Sequence, residues 1–179
     1  DQLSRELVEP GKPAWREIVE AFGQEILKAD ETLDRAKLAS IIFDDEDKRR
    51  LLERIIHPRV GMESDRRISD IKERDPHAII FLVVPLLIEV GMHKLVDRVV
   101  LVYAPMNLQI KRLMERDGLP PEEAQKRINA QMPTDEKLAF AHFVINNSGS
   151  LDETKKQVEK VMKELVELEK ERSAGRAPS

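Results

Sequence analysis

Along the first half of the chain apolar residues recur at intervals of three and four, and in the second half they gather into unbroken β-branched runs. The first pattern is that of helices with one buried face, the second that of strands covered on both sides. Gln2 to Val8 carries Leu3, Leu7 and Val8 at helical spacing and stops at Pro10-Gly11, a strong breaker pair. Pro13 opens an amphipathic helix through Trp15, Ile18, Val19 and Phe22, which Gly23 ends. After a short turn at Asp30-Glu31, a third helix runs from Asp34 through Leu38, Ile41 and Ile42. A fourth carries Leu51, Leu52, Ile55 and Ile56 and is expected to stop at His57-Pro58, because the residue before a proline is pushed out of the helical region. Val60 to Arg74 reads as a separate, highly charged helix.

From Ala78 to Val84 the run Ala-Ile-Ile-Phe-Leu-Val-Val shows no alternation and ends at Pro85, which predicts a strand buried on both faces. Asp97 to Tyr103 repeats that signature and Phe143 to Asn146 gives a shorter copy. Between these two lies a charged helical stretch, Leu108 to Gln131, broken at Gly118 and Pro120-Pro121. Strand, helix, strand in that order predicts βαβ crossovers and an α/β class with a parallel sheet. A closing helix is expected over 152–170, with Val158, Val161, Met162, Leu165 and Leu168 on one face. The small, polar residues 173–179 read as a disordered tail.

Composition narrows the class. The 179 residues are 41% hydrophobic and 36% charged with a net charge of −4, which fits one soluble globular domain. The chain has no cysteine, so disulfides, thiolate metal sites and a cysteine nucleophile are excluded, and a reducing cytoplasm is the expected compartment. No apolar run reaches the roughly 18 residues of a membrane span, so no membrane partner is expected. The slightly acidic balance and scarce aromatics argue against a nucleic-acid partner.

In open α/β sheets ligands bind outside the carboxyl ends of the strands. The segments there are Pro85 to Glu89, Tyr103 to Pro105 and Asn146 to Ser150. The last suits a loop that offers backbone groups to a base or phosphate, and equally a plain helix N-cap. Arg112 and Arg116 lie four apart on one helical face, where two guanidinium forks can hold a polyphosphate; Glu115 and Asp117 beside them fit a merely solvated face as well. The histidines, 57, 77, 93 and 142, have no metal-ligand spacing, and His57-Pro58 also fits a packed helix end. No Gly-x-Ser-x-Gly elbow occurs, and none of the seven glycines begins a Gly-x-x-x-x-Gly-Lys-[Ser/Thr] phosphate loop.

An ordered set of strings nevertheless resembles the dephospho-coenzyme A kinases, a P-loop kinase family. They are Asp1-Gln-Leu-Ser-Arg5 with Val8 to Gly11, Leu33-Asp-Arg35 through Ile42-Phe43, and His57-Pro58. Further on come Val84 to Glu89, Leu95 to Arg98, Arg112-Leu-Met-Glu-Arg-Asp117, Arg127 with Gln131-Met132, and Val144 to Ser150. The resemblance implies a three-layer α/β/α P-loop kinase-like parallel sheet with a helical substrate-binding insertion and a lid, its first strands missing. It implies one kinase domain over 1–172, with a helical region at 12–76 for the coenzyme A precursor and a lid at 115–137. The implied reaction moves the γ-phosphoryl of ATP, with Mg2+, to the 3′-hydroxyl of dephospho-CoA.

By the same resemblance Asp1 would position or deprotonate that hydroxyl near magnesium, and Arg112 would stabilise charge on the transferring phosphate, with Arg116 and Arg127 assisting. Asn147 and Gly149 would flank the adenine, while Arg5, Leu33, Arg35, Phe43 and His57 would receive the precursor. Family members begin with a strand and a Walker loop, and Asp1 matches an aspartate that follows them, so the sequence is expected to continue a longer kinase and to be inactive alone. The missing first strand would lie between the segments at Ala78 and Asp97. Two departures stand out: Val83 and Asn146 occupy positions where many relatives carry aspartate. The competing reading is a non-catalytic module that binds a nucleotide or coenzyme A without transferring phosphate.

Overall fold

The computed structural model describes residues 2–43 and 45–175. The chain forms two compact units, Asp1–Ile80 and Phe81–Ser179. The first is helical: α1 (Gln2–Leu7), α2 (Pro13–Phe22), a 3-10 turn at Gln24–Ile26, α3 (Arg35–Phe43) and α4 (Glu46–Arg74). Pro13 sits in the first turn of α2, where its missing N–H has no helical partner to lose. Gly23 ends α2 at φ 85°, a conformation that a Cβ would strain. Ala14, Ile18 and Phe22, four apart, form the stripe buried with Val8, Ile26, Leu33, Leu38 and Ile55.

Contrary to the sequence expectation, Pro58 does not end a helix: α4 runs unbroken for 29 residues with Pro58 inside it. A proline removes one helical donor and crowds the carbonyl a turn back. Arg59 beside it adds side-chain bonds to the helix and to its neighbour, Nη1 donating to the Ile55 carbonyl at 2.6 Å while Nη2 bonds Glu17 of α2. Because α1, α2 and α3 all pack on α4, tertiary burial holds both halves in one helix.

An arginine–carboxylate network fastens α1 to the far half of α4. Arg67 bonds both Glu6 of α1 and Glu63, and Arg66 bonds Glu63 and Asp70. The hydrogen bonds from Arg66 and then Arg67 pull the Glu63 carboxyl down to about 2. A depressed folded-state value means that the contribution is complete above the ordinary carboxylate range and is lost as pH falls through about 2. The stability difference between wild type and Glu63→Gln, measured by urea unfolding, is therefore expected to be constant above about pH 5 and to shrink steadily below it. A difference that grows on acidification would contradict this.

In the second unit β1 (Val100–Tyr103) and β2 (Phe143–Asn146) pair in parallel, Val100 opposite Phe143 and Tyr103 opposite Asn146. Between them run α5 (Met106–Asp117), α6 (Pro121–Asn129) and the short α7 (Thr134–Lys137); α8 (Leu151–Ser173) follows β2. Gly118 ends α5 at φ 66°. Ser150 and Glu153 form a reciprocal capping box at the start of α8, which packs Val161 and Leu165 toward the β2 side where Ile145 is buried. The ladder begins one residue early through a side chain: the Val99 N–H donates to His142 Nδ1 at 3.1 Å, and the Val99 carbonyl accepts from the His142 and Phe143 amides.

The parallel α/β class is as expected, but one strand is not. Residues 78–84 join no ladder among the described residues, and Phe81 and Val83 are 52% and 88% exposed rather than buried on both faces. Val102 of β1, at 57%, is open too. A β-branched run favours extended backbone, but a strand also needs a partner for its N–H and C=O groups, and side-chain pattern does not supply one. α8 runs to Ser173, three residues beyond the expected end, and residues 176–179 of the expected tail lie outside the described residues. Among the described residues no helix is long and apolar enough to cross a membrane.

Candidate functional site

The second unit contains a cleft of about 440 Å³ that opens where β1 ends. Ala104 and Met106, directly after the strand, form its floor side, as the strand-end rule anticipates. α5 contributes Arg112, Arg116 and Asp117, α6 contributes Arg127, and the segment from Gln131 to Lys137 closes the opposite wall. Helical spacing brings Arg112 and Arg116 to one side, and the turn at Gly118 folds α6 back on α5 so that Arg127 joins them.

The three cations are not equivalent. Asp117 receives Arg116 at 2.7 and 3.0 Å and lies 3.5 Å from Arg127, which also bonds Glu123 at 2.7 Å. The hydrogen bond from Arg116 holds the Asp117 carboxyl below the usual carboxylate range, and Asp117 in turn raises Arg116. Asp117 thereby offsets the repulsion between two guanidinium groups and aligns them. Arg112, half-buried, forms no hydrogen bond or ion pair among the described residues. Its fork is the uncommitted anion donor of the cleft, able to hold two phosphate oxygens at once.

The wall opposite is pinned at several points. Gln109 Nε2 donates to the Ala104 carbonyl at 2.6 Å and to Thr134 Oγ1 at 2.8 Å. The Asp135 carboxylate beside the Tyr103 hydroxyl pushes that hydroxyl's pKa up. Lys137, the single buried charged residue among those described, meets Glu89 Oε1 at 2.7 Å. Sequence reading missed Gln109, Thr134 and Lys137. Glu89 stood in a quoted string, but nothing in the pattern tied it to a lysine 48 positions on.

Asn147 and Gly149 lie in the β2–α8 turn and do not line this cleft. The Asn147 amide donates to the Tyr103 carbonyl at 2.8 Å, and its Oδ1 accepts from Thr154 at 3.1 Å. A Cβ on Gly149 would come within 2.4 Å of Glu153 Oε2, so the capping carboxylate favours glycine there. Arg5, Arg35, Phe43 and His57 are exposed on the first unit, whereas Leu33 is buried in its core. Asp1, expected as base and magnesium ligand, lies outside the described residues. No group of three or more His, Asp or Glu able to hold a metal occurs among the described residues.

A parallel strand pair with helices between its strands, and a cleft at the strand end lined by three arginines, defines an α/β domain with a cationic cleft. The solved structures agree on the fold. A crystal structure of a Thermus thermophilus protein is 32% identical and superposes with a TM-score of 0.73 over 92% of this chain and 82% of its own. The dephospho-CoA kinase from Campylobacter jejuni, 26% identical, gives 0.68 over 93% and 83%. The dephospho-CoA kinase of Geobacter metallireducens is 47% identical over 167 residues, which is 93% of this chain and 83% of that protein. The profile of the dephospho-CoA kinase family matches residues 1–153. The chain belongs to the dephospho-CoA kinase family.

Proposed function

We propose that this chain carries the transfer of the γ-phosphoryl group of ATP to the 3′-hydroxyl of dephospho-CoA. A bond forms between the hydroxyl oxygen and the γ-phosphorus, the bond to the β,γ-bridging oxygen breaks, ADP departs, and the hydroxyl proton passes to a base, the role the family resemblance gives to Asp1. Such transfer needs alignment and charge neutralisation more than covalent help. The observation that carries the reading is the free Arg112 fork beside the Asp117-aligned pair Arg116 and Arg127 in one cleft.

In this reading Arg112 takes up charge that develops on the transferring group, with Arg116 and Arg127 assisting it as residues 115–137 close as a lid that excludes water. Asn147 and Gly149 receive the adenine. Arg5, Arg35, Phe43 and His57 are exposed and available to the precursor; Leu33, being buried, shapes that surface from beneath. Both substrates are water-soluble, which suits a cytoplasmic enzyme.

A coupled ADP-release assay on the protein as its gene encodes it, with ATP, Mg2+ and dephospho-CoA, is expected to show turnover that depends on dephospho-CoA. Nucleotide affinity without turnover would favour the binding-module reading instead. Neither affinity nor turnover would remove both.

A further inference from the structure

The ion pair of Glu89 and Lys137 is mostly shielded from solvent, and only its lysine lines the cleft. Their side chains are 20% and 11% exposed, and the pair joins a turn after residue 84 to the wall that faces the arginines. Glu89 Oε1 accepts from Lys137 Nζ at 2.7 Å and from the Met132 amide at 3.3 Å, while Lys137 Nζ also reaches the Pro85 carbonyl at 3.5 Å. Glu89 Oε2 is buried without a hydrogen-bond partner, so the carboxylate rests on Lys137, the Met132 amide and its own backbone amide. Lys137 itself lines the cleft, yet its charge is spent on Glu89 rather than offered to a ligand.

Stability alone gives little reason to keep such a pair. A buried salt bridge is often replaceable by apolar residues of similar volume at no loss of stability, whereas removing one partner leaves an uncompensated charge. What the apolar substitute cannot do is accept the Met132 amide and fix the residues that follow α6. Arg127 stands in the last turn of α6, five residues before Met132.

Resting on the kinase reading above, we propose that Glu89 is a positioning residue of the transfer reaction, acting through Lys137 and the Met132 amide to set the cleft wall and, with it, Arg127. The test uses Glu89→Gln, Lys137→Arg and the apolar double variant Glu89→Leu/Lys137→Met in the protein as encoded. Glu89→Gln is expected to lower both Tm and kcat. The double variant is expected to regain most of the Tm while kcat stays at least tenfold down and KM for ATP moves less than threefold. In an Arg127→Ala background the same double substitution is expected to lower kcat no further.

Recovery of kcat together with Tm in the double variant would overturn the proposal, since the pair would then serve stability alone. An undiminished effect in the Arg127→Ala background would overturn it as well. Should the double variant not fold, Lys137→Arg decides: it keeps the charge and displaces the wall, so a kcat at least threefold down at near wild-type Tm supports positioning, and an unchanged kcat refutes it. An inactive wild type would instead sink the kinase reading, which separates the two failures.

Discussion

Arg112→Ala is expected to lower kcat by about 100- to 1,000-fold, the cost typical of losing one preorganised donor to developing charge. The effect should be larger than for Arg116 or Arg127, because those two already share Asp117 and Glu123 while Arg112 has no competing partner among the described residues. The loss should fall on kcat and kcat/KM alike, with KM for ATP little changed, since a group that acts on charge formed in the transition state contributes little to ground-state binding. Arg112→Lys restores a charge but not a bidentate fork, so recovery should be partial. A kcat within threefold of wild type for Arg112→Ala, measured under saturating substrates, would remove this arginine from the reaction.

The largest stability effect is expected from Ile18→Ala. Ile18 is fully buried at the centre of the α2 stripe, in one core with Val8, Phe22, Leu38 and Ile55. Truncation removes three carbons' worth of apolar surface and leaves a cavity that helices crossing a 29-residue partner cannot readily close, at about 2–5 kcal/mol, whereas Ile18→Val should cost about 0.5–1.5 kcal/mol. Urea unfolding of the two variants distinguishes them. A loss below about 1 kcal/mol for the alanine variant would mean that the core relaxes into the space.

Much of the helical unit was legible in the sequence because its signals are local. Pro13, the four-residue stripe of α2 and Gly23 each act within a turn of backbone, and the structure uses all of them. The failure at Pro58 has the opposite cause. A local rule predicts a break there, but packing against three other helices and the reach of Arg59 to Ile55 and Glu17 outweigh it. The unpaired run at residues 78–84 fails in the same way, since side-chain character sets a preference and pairing sets the outcome.

For the cleft, spacing alone brought Arg112 and Arg116 to one face, and the ordered strings pointed to the family that the profile and relatives share. What the chain order could not reveal is which charges remain free once the helices fold back on one another. Asp117 occupies Arg116 and touches Arg127, Glu89 occupies Lys137 from 48 positions away, and of the cations that line the cleft Arg112 alone stays uncommitted among the described residues. Periodicity is a property of neighbours along the backbone and so can be read from the amino acids. Charge pairing depends on distance through space, which loop closure at Gly118 and burial beside β1 decide.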